Sequence, residues 1–149
     1  MKRVVDYLAE LGASVEELKH KDYAYYFSRW SSIYCRTVKR EKGTSCYRKF
    51  HWHAFSYQFD PCVEGAKAME QYSRQTGKTL IVLGESHGGS GKLALKAKGL
   101  LAPDLSGLRD DLYVMPESVD WTMVFTHEHP DFGPYFSCRE WCDQESGLA

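Results

Sequence analysis

The feature that most narrows what this chain can fold into is a change of hydrophobic period in its first third. Tyr23, Tyr26, Phe27, Trp30 and Tyr34 fall at i, i+3, i+4, i+7 and i+11, which is one face of a helix, and an aromatic stripe at that spacing belongs against a core. After a loop around Lys42, Gly43 and Thr44, the period becomes two. From Phe50 to Phe59, His51, His53, Phe55, Tyr57 and Phe59 lie on one side and Trp52, Ala54, Ser56 and Gln58 on the other, which predicts a strand. The chain therefore reads as helix packed with sheet.

The remaining punctuation extends that reading. Lys2 to Leu11 predicts a helix stopped by Gly12, and Ser14 with Glu17 three residues later is a capping-box signal for a second helix. Asp60 and Pro61 predict the start of a helix over Pro61 to Thr76, ahead of Gly77, and Thr79 to Leu83 predicts a strand. Strand, helix and strand joined by short loops favour a crossover and a parallel pair. Leu93 to Leu101 is consistent with a short helix, and Asp104 with the cap of a further turn. Leu112 to Met115, Trp121 to His127 and Tyr135 to Cys138 predict strands, with Pro116 to Asp120 as a turn and with Trp121, Met123, Phe125 and His127 on one face. The expected fold is α+β. N-terminal helices precede a mixed sheet of about five strands, with one β-α-β crossover and C-terminal antiparallel strands. No linker or repeat divides the chain, so residues 1–149 are expected to form a single domain, with a helical part over 1–48 and a sheet part over 49–149.

A chain of 149 residues can bury roughly two thirds of its unfolded surface without staples. Its 5 cysteines, Cys35, Cys46, Cys62, Cys138 and Cys142, are odd in number and irregularly spaced, which favours a reducing, cytoplasmic setting. The longest strongly apolar run, Leu80 to Leu83, is far short of a membrane span, and Asp6 and Glu10 interrupt any signal-peptide core, so no membrane association is expected. The formal net charge of -1 conceals an asymmetry. Lys and Arg outnumber Asp and Glu by 17 to 10 up to Ala102, and from Pro103 onward the ratio is 2 to 10. Such blocks are commonly solvated faces, but an acidic C-terminal surface carrying Asp110, Asp120 and Asp131 could also steer a basic protein. The basic stretch Arg36 to Lys49 is the weaker alternative, as a contact to nucleic acid.

One segment, Gly84 to Lys92, invites enzyme readings. As a phosphate-binding loop it fails, since Ser86 stands where the first Gly belongs and Leu93 follows Lys92 in place of Ser or Thr. Gly84-Glu85-Ser86-His87-Gly88 does satisfy G-x-S-x-G and locally resembles the nucleophile elbow of α/β-hydrolases. That resemblance covers some fifteen residues and implies Ser86 as nucleophile, Asp110 or Asp111 as acid, and His127 or His129 as base. The elbow needs a parallel sheet, whereas the segments after it look antiparallel. The two His-x-His pairs, His51 with His53 and His127 with His129, would each present two imidazoles on one side of a strand, with Glu128, Asp131 or Cys62 available to complete a metal shell. A hydrogen-bonded core histidine is the commoner use of such positions. No cofactor is indicated by any of these patterns.

Taken together, Trp52-His53-Ala54-Phe55-Ser56-Tyr57, Pro61-Cys62-Val63-Glu64-Gly65, Asp111-Leu112-Tyr113-Val114, Trp121-Thr122, Thr126-His127-Glu128 and Gly133-Pro134-Tyr135-Phe136 resemble a family of small bacterial proteins catalogued only as a domain of unknown function. The resemblance covers Trp52 to Phe136 and implies no activity. It implies that Trp52, His53, Glu64, Trp121, His127 and Glu128 cluster in space as a binding site. The leading expectation is a small cytosolic protein that binds or inhibits a macromolecular partner, in the manner of an immunity or anti-defence protein. A serine hydrolase using Ser86 with His127 or His129 is the second expectation, and a metal-dependent protein using the His-x-His pairs the third.

Overall fold

The computed structural model describes residues 2–36, 52–56, 60–85 and 92–145. Its elements in chain order are α1 (Lys2–Glu10), β1 (Ser14–Glu17), α2 (His20–Tyr34), α3 (His53–Ser56), β2 (Val63–Glu64), α4 (Ala66–Ser73), β3 (Thr79–Glu85), β4 (Lys92–Lys98), a 3-10 turn (Ser106–Leu108), β5 (Asp111–Met115), β6 (Trp121–Phe125), β7 (Tyr135–Cys138) and α5 (Arg139–Glu145). The strands form one 7-stranded sheet in the order β1-β4-β3-β5-β6-β7-β2.

Every ladder is antiparallel. The α+β class stands, but among the described residues the sheet is larger than five strands and contains no parallel pair. The crossover is present in another form. Counting directions along the sheet, β2 and β3 point the same way, with α4 between them in sequence and β5, β6 and β7 between them in space.

Alternation along each strand divides the apolar residues between two faces. Ile81, Leu83, Ala94, Tyr113, Met115, Val124 and Tyr135 pack with the buried side of α2 and with Trp52 and Phe55. Leu80, Val82, Leu95, Leu112, Val114, Met123, Phe125 and Phe136 pack with Val4 and Leu8 of α1 and with Ala68 and Tyr72 of α4. The result is a sheet covered by helices on both sides, so the central strands are buried on both faces and read as near-continuous apolar runs.

The aromatic stripe forms the centre of the first face as expected. Tyr23, Phe27, Trp30 and Tyr34 are buried in α2, whose first turn is closed by Asp22 Oδ2 accepting the Lys19 N–H at 3.1 Å. Trp30 packs edge-on against Tyr113 at 4.9 Å and donates its indole N–H to Thr122 Oγ1 at 2.9 Å. A fully buried tryptophan of this kind costs about 3–5 kcal/mol to truncate to alanine.

Several local expectations are overturned by sheet pairing. Ser14 to Glu17 is not a capping box: it forms the edge strand β1, with Glu16 opposite Lys96 as a cross-strand pair of opposite charge. Leu93 to Leu101 is not a helix. Its Leu, Ala and Lys residues favour helix locally, but β4 lies between β1 and β3, and the two ladders outweigh that preference. The helix expected from Pro61 begins at Ala66, because Val63 and Glu64 pair with Phe136 and Tyr135, and Gly65, at φ +67°, makes the bend between strand and helix. Within the predicted strand over Phe50 to Phe59, the described residues 53–56 form a helical turn, with Phe55 N and Ser56 N both bonded to Trp52 O.

Candidate functional site

Antiparallel pairing places Glu85, the last residue of β3, opposite Asp111, the first residue of β5. On the other side of β5, β6 ends at Phe125, opposite Leu112. The chain then turns, and His127 comes back over Asp111. Its backbone N–H donates to Asp111 Oδ1 at 2.9 Å, and its ring Nδ1 lies 2.8 Å from Oδ1 and 3.0 Å from Oδ2. A third N–H, the indole Nε1 of Trp52, reaches the same Oδ1 at 3.0 Å.

Asp111 is 0% exposed, whereas the His127 side chain is 15% exposed. A carboxylate in that position costs several kcal/mol unless donors replace its water. Three N–H groups converging on one oxygen supply this replacement and favour the ionised form. An ionised carboxylate only accepts, so the network assigns the proton of His127 to Nδ1. The other ring nitrogen, Nε2, lies 3.7 Å from Glu128 Oε1. A buried acid behind Nδ1, with Nε2 turned toward partly exposed Glu128, is an arrangement that lets an imidazole act as a general base or as an oriented ligand.

The loop that presents His127 is held by its own bonds. Thr126 Oγ1 donates to Phe132 O at 2.6 Å and accepts Glu128 N–H at 3.3 Å, and Glu64 Oε2 accepts Gly133 N–H at 3.2 Å from the neighbouring β2. Gly133 has φ +83°, and a Cβ there would meet Thr126 Cγ2 at 3.2 Å and Tyr135 Cε2 at 3.3 Å. Glycine is therefore required at this point both by conformation and by space.

The DUF4275 family model, described as a domain of unknown function, matches residues 2–136. The chain belongs to the DUF4275 family. The DUF4275 match contains the Trp52 to Phe136 stretch on which the resemblance rests and extends it at the N-terminal side over α1, β1 and α2. No curated protein and no solved structure matches the chain.

Of the residues singled out in the DUF4275 sequence, the structure brings together Trp52, Asp111, His127, Glu128 and, through Gly133, Glu64. Trp121 is elsewhere. It stands at the other end of β6, on the opposite face, stacked on Phe136 at 5.9 Å and against Tyr72 at 5.8 Å. His127 does not continue the Trp121, Met123, Phe125 face, because β6 ends at Phe125 and the turn carries His127 to the face of Asp111 and Tyr113. His127 and His129 consequently lie in a turn and not at strand spacing, and the Nδ1 of His129 is buried without a hydrogen-bond partner. His51, Ser86 and the side chain of His53 lie outside the described residues. Among the described residues, no three His, Cys, Asp or Glu groups are placed to hold a metal ion.

The acidic candidates are divided. Asp110 sits beside the site, 3.8 Å from Arg3, and exposed Asp131 lies on the His127 loop, whereas Asp120 is at the far end of the sheet, 4.0 Å from Arg139. Arg36, the first residue of the basic stretch, pairs with Asp143 at 2.9 Å and caps carbonyls at Ser32 and Cys142. The rest of that stretch, residues 37–49, lies outside the described residues. Cys62 is partly buried, and burial pushes its thiol up to about 12. Among the described residues, no helix is long and apolar enough to cross a membrane.

Sequence reasoning missed Tyr113, whose hydroxyl oxygen accepts the Trp52 backbone N–H at 3.1 Å. A signal existed: Asp111 and Tyr113 are two apart in a strand and so share a face. The context of Ser86 also differs from a hydrolase elbow, since the segment that follows it returns as the antiparallel strand β4 and not as a helix. Gly84 itself is in β3, where a Cβ would stand 3.2 Å from Leu93 Cβ, so close strand packing is one reason for that glycine.

Proposed function

We propose that the protein is a hydrolase in which His127, oriented by Asp111, acts as the base for a nucleophilic hydroxyl, and that Ser86 supplies it. The observation that carries this reading is the 2.8 Å contact between His127 Nδ1 and buried Asp111. A desolvated carboxylate behind an imidazole is what nucleophilic catalysis requires of its base. Ser86 is taken as the partner because it follows Glu85, the residue paired opposite Asp111, in the chain. In the reaction, Ser86 Oγ attacks an acyl carbon while His127 Nε2 takes the hydroxyl proton. The same proton then goes to the leaving group, and water repeats the sequence to release the acid and restore Ser86.

A fluorophosphonate probe tests this directly. The wild-type protein is expected to be labelled at Ser86, and Ser86→Ala and His127→Ala to abolish labelling. Folded wild-type protein that stays unlabelled would overturn the reading. The second reading, a binder of a basic macromolecule, is supported by the excess of acid after Pro103, but Asp110, Asp120 and Asp143 already have arginine partners within the chain. Recovery of a host protein that is lost when Asp110 and Asp131 are reversed in charge would favour it.

A further inference from the structure

We infer that Trp52 is a positioning residue for the Asp111–His127 pair, acting through its indole N–H on the carboxylate oxygen that receives the histidine. The inference deepens the dyad on which the proposed function rests. Of the N–H groups described on Asp111 Oδ1, two belong to His127 itself and one comes from a residue 59 positions earlier. The bonds from His127 leave the carboxylate free to move together with the ring that it orients. The Trp52 donor ties the oxygen to a separate, rigid part of the core.

That rigidity is visible around the indole. Trp52 is 0% exposed, its ring is stacked on Tyr135 at 6.3 Å, and it meets the His127 ring edge-on at 6.1 Å. Its backbone N–H is fixed by the Tyr113 hydroxyl oxygen at 3.1 Å, and Tyr113 is packed under Phe27 and Trp30. The aromatic face of α2 is thus connected through Tyr113 and Trp52 to the plane of the carboxylate. A neutral donor from this scaffold stabilises the negative charge and fixes the plane of the carboxylate that faces Nδ1.

Replacing Trp52 by benzothienylalanine keeps the ring shape and removes the N–H. Proton and nitrogen-15 spectra of the imidazole then read how firmly Nδ1–H is held, without any need for turnover. The wild-type protein is expected to show His127 as the Nδ1–H form, and the analogue to exchange that proton with water about tenfold faster, because the carboxylate facing it is no longer fixed by a hydrogen bond from the core. An unchanged exchange rate in the folded analogue would overturn the inference. A wild-type measurement guards against misfolding of the variant: the Trp52 indole proton is expected far downfield, and Asp111→Asn to move it upfield. An indole proton insensitive to Asp111→Asn also counts against the role. Absence of fluorophosphonate labelling sinks the hydrolase and leaves this result untouched.

Discussion

His127 Nδ1 lies 2.8 Å from Asp111 Oδ1, although the two residues are 16 apart in sequence and stand at the ends of adjacent antiparallel strands. The pair closes because β5 begins at Asp111 and β6 ends two residues before His127, so strand ends and not a local motif create it.

Removing the carboxylate separates structure from chemistry. Asp111→Ala leaves the Trp52 indole and the His127 backbone N–H without this acceptor in a dry site, and a loss of about 1–3 kcal/mol for each donor left unpaired is expected in urea unfolding. Asp111→Asn keeps the shape, so it is expected to unfold closer to wild type while labelling of Ser86 slows by about a hundredfold or more. Equal stability of wild type and Asp111→Ala would contradict the buried arrangement.

Tyr135 carries the opposite expectation. Its hydroxyl is buried and makes no hydrogen bond of good geometry, and burial, its largest cause, raises its pKa, with Glu64 adding to the effect and the nearby Gly133 backbone opposing it. Since an unsatisfied buried hydroxyl costs about 1–3 kcal/mol, Tyr135→Phe is expected to be neutral or to raise the thermal midpoint. A clear fall in that midpoint would show that the hydroxyl is bonded in solution.

Gly133→Ala tests the loop that presents His127. The positive φ and the two contacts under 3.4 Å together predict a loss of about 1–3 kcal/mol and a displaced loop, readable as altered amide shifts for Thr126 to Phe132. Unperturbed stability and shifts would mean that the loop relaxes freely.

The thiols give a pH-dependent check. Burial pushes Cys62 up to about 12 and Cys142 up to about 11, against an ordinary value near 9.0. Both are expected to resist iodoacetamide at pH 8 in the folded state and to react readily in urea. For an acid whose folded value is raised, the neutral thiol stabilises the native state fully below about pH 9, and that contribution is lost as pH rises from 9 towards 11 and 12. Urea midpoints between pH 8 and 11 measure it, and the Cys62→Ala, Cys142→Ala variant is expected to show a flatter profile.

Much of the fold was legible where periodicity was long and unopposed. The α2 stripe, the stop at Gly12, β3, β5, the Pro116 turn and β7 were all visible in the residues themselves. The signal failed where two structures compete for one pattern. KLALKAK suits a helix by propensity and a strand by alternation, and only partners on both sides decide between them. Phe50 to Phe59 fits a strand by alternation, yet Trp52 and Phe55, on opposite sides of such a strand, also fit one side of a helical turn at i, i+3. Val63 and Glu64 are too short a strand to be read without Tyr135 and Phe136 beside them.

The same division holds for the site. Sequence alone determined which chemistry is available: an acid at Asp111, an imidazole at His127, a hydroxyl at Ser86 and an aromatic partner at Trp52. It also determined, through the period of the strands, that Asp111 and Tyr113 share a face. Only the tertiary structure decided that Asp111 is buried, that His127 leaves the Phe125 face to meet it, and that Trp121 is excluded. Those outcomes depend on register between strands distant in sequence, and a ladder's register is fixed by what both faces of the whole sheet can bury, which no local window contains.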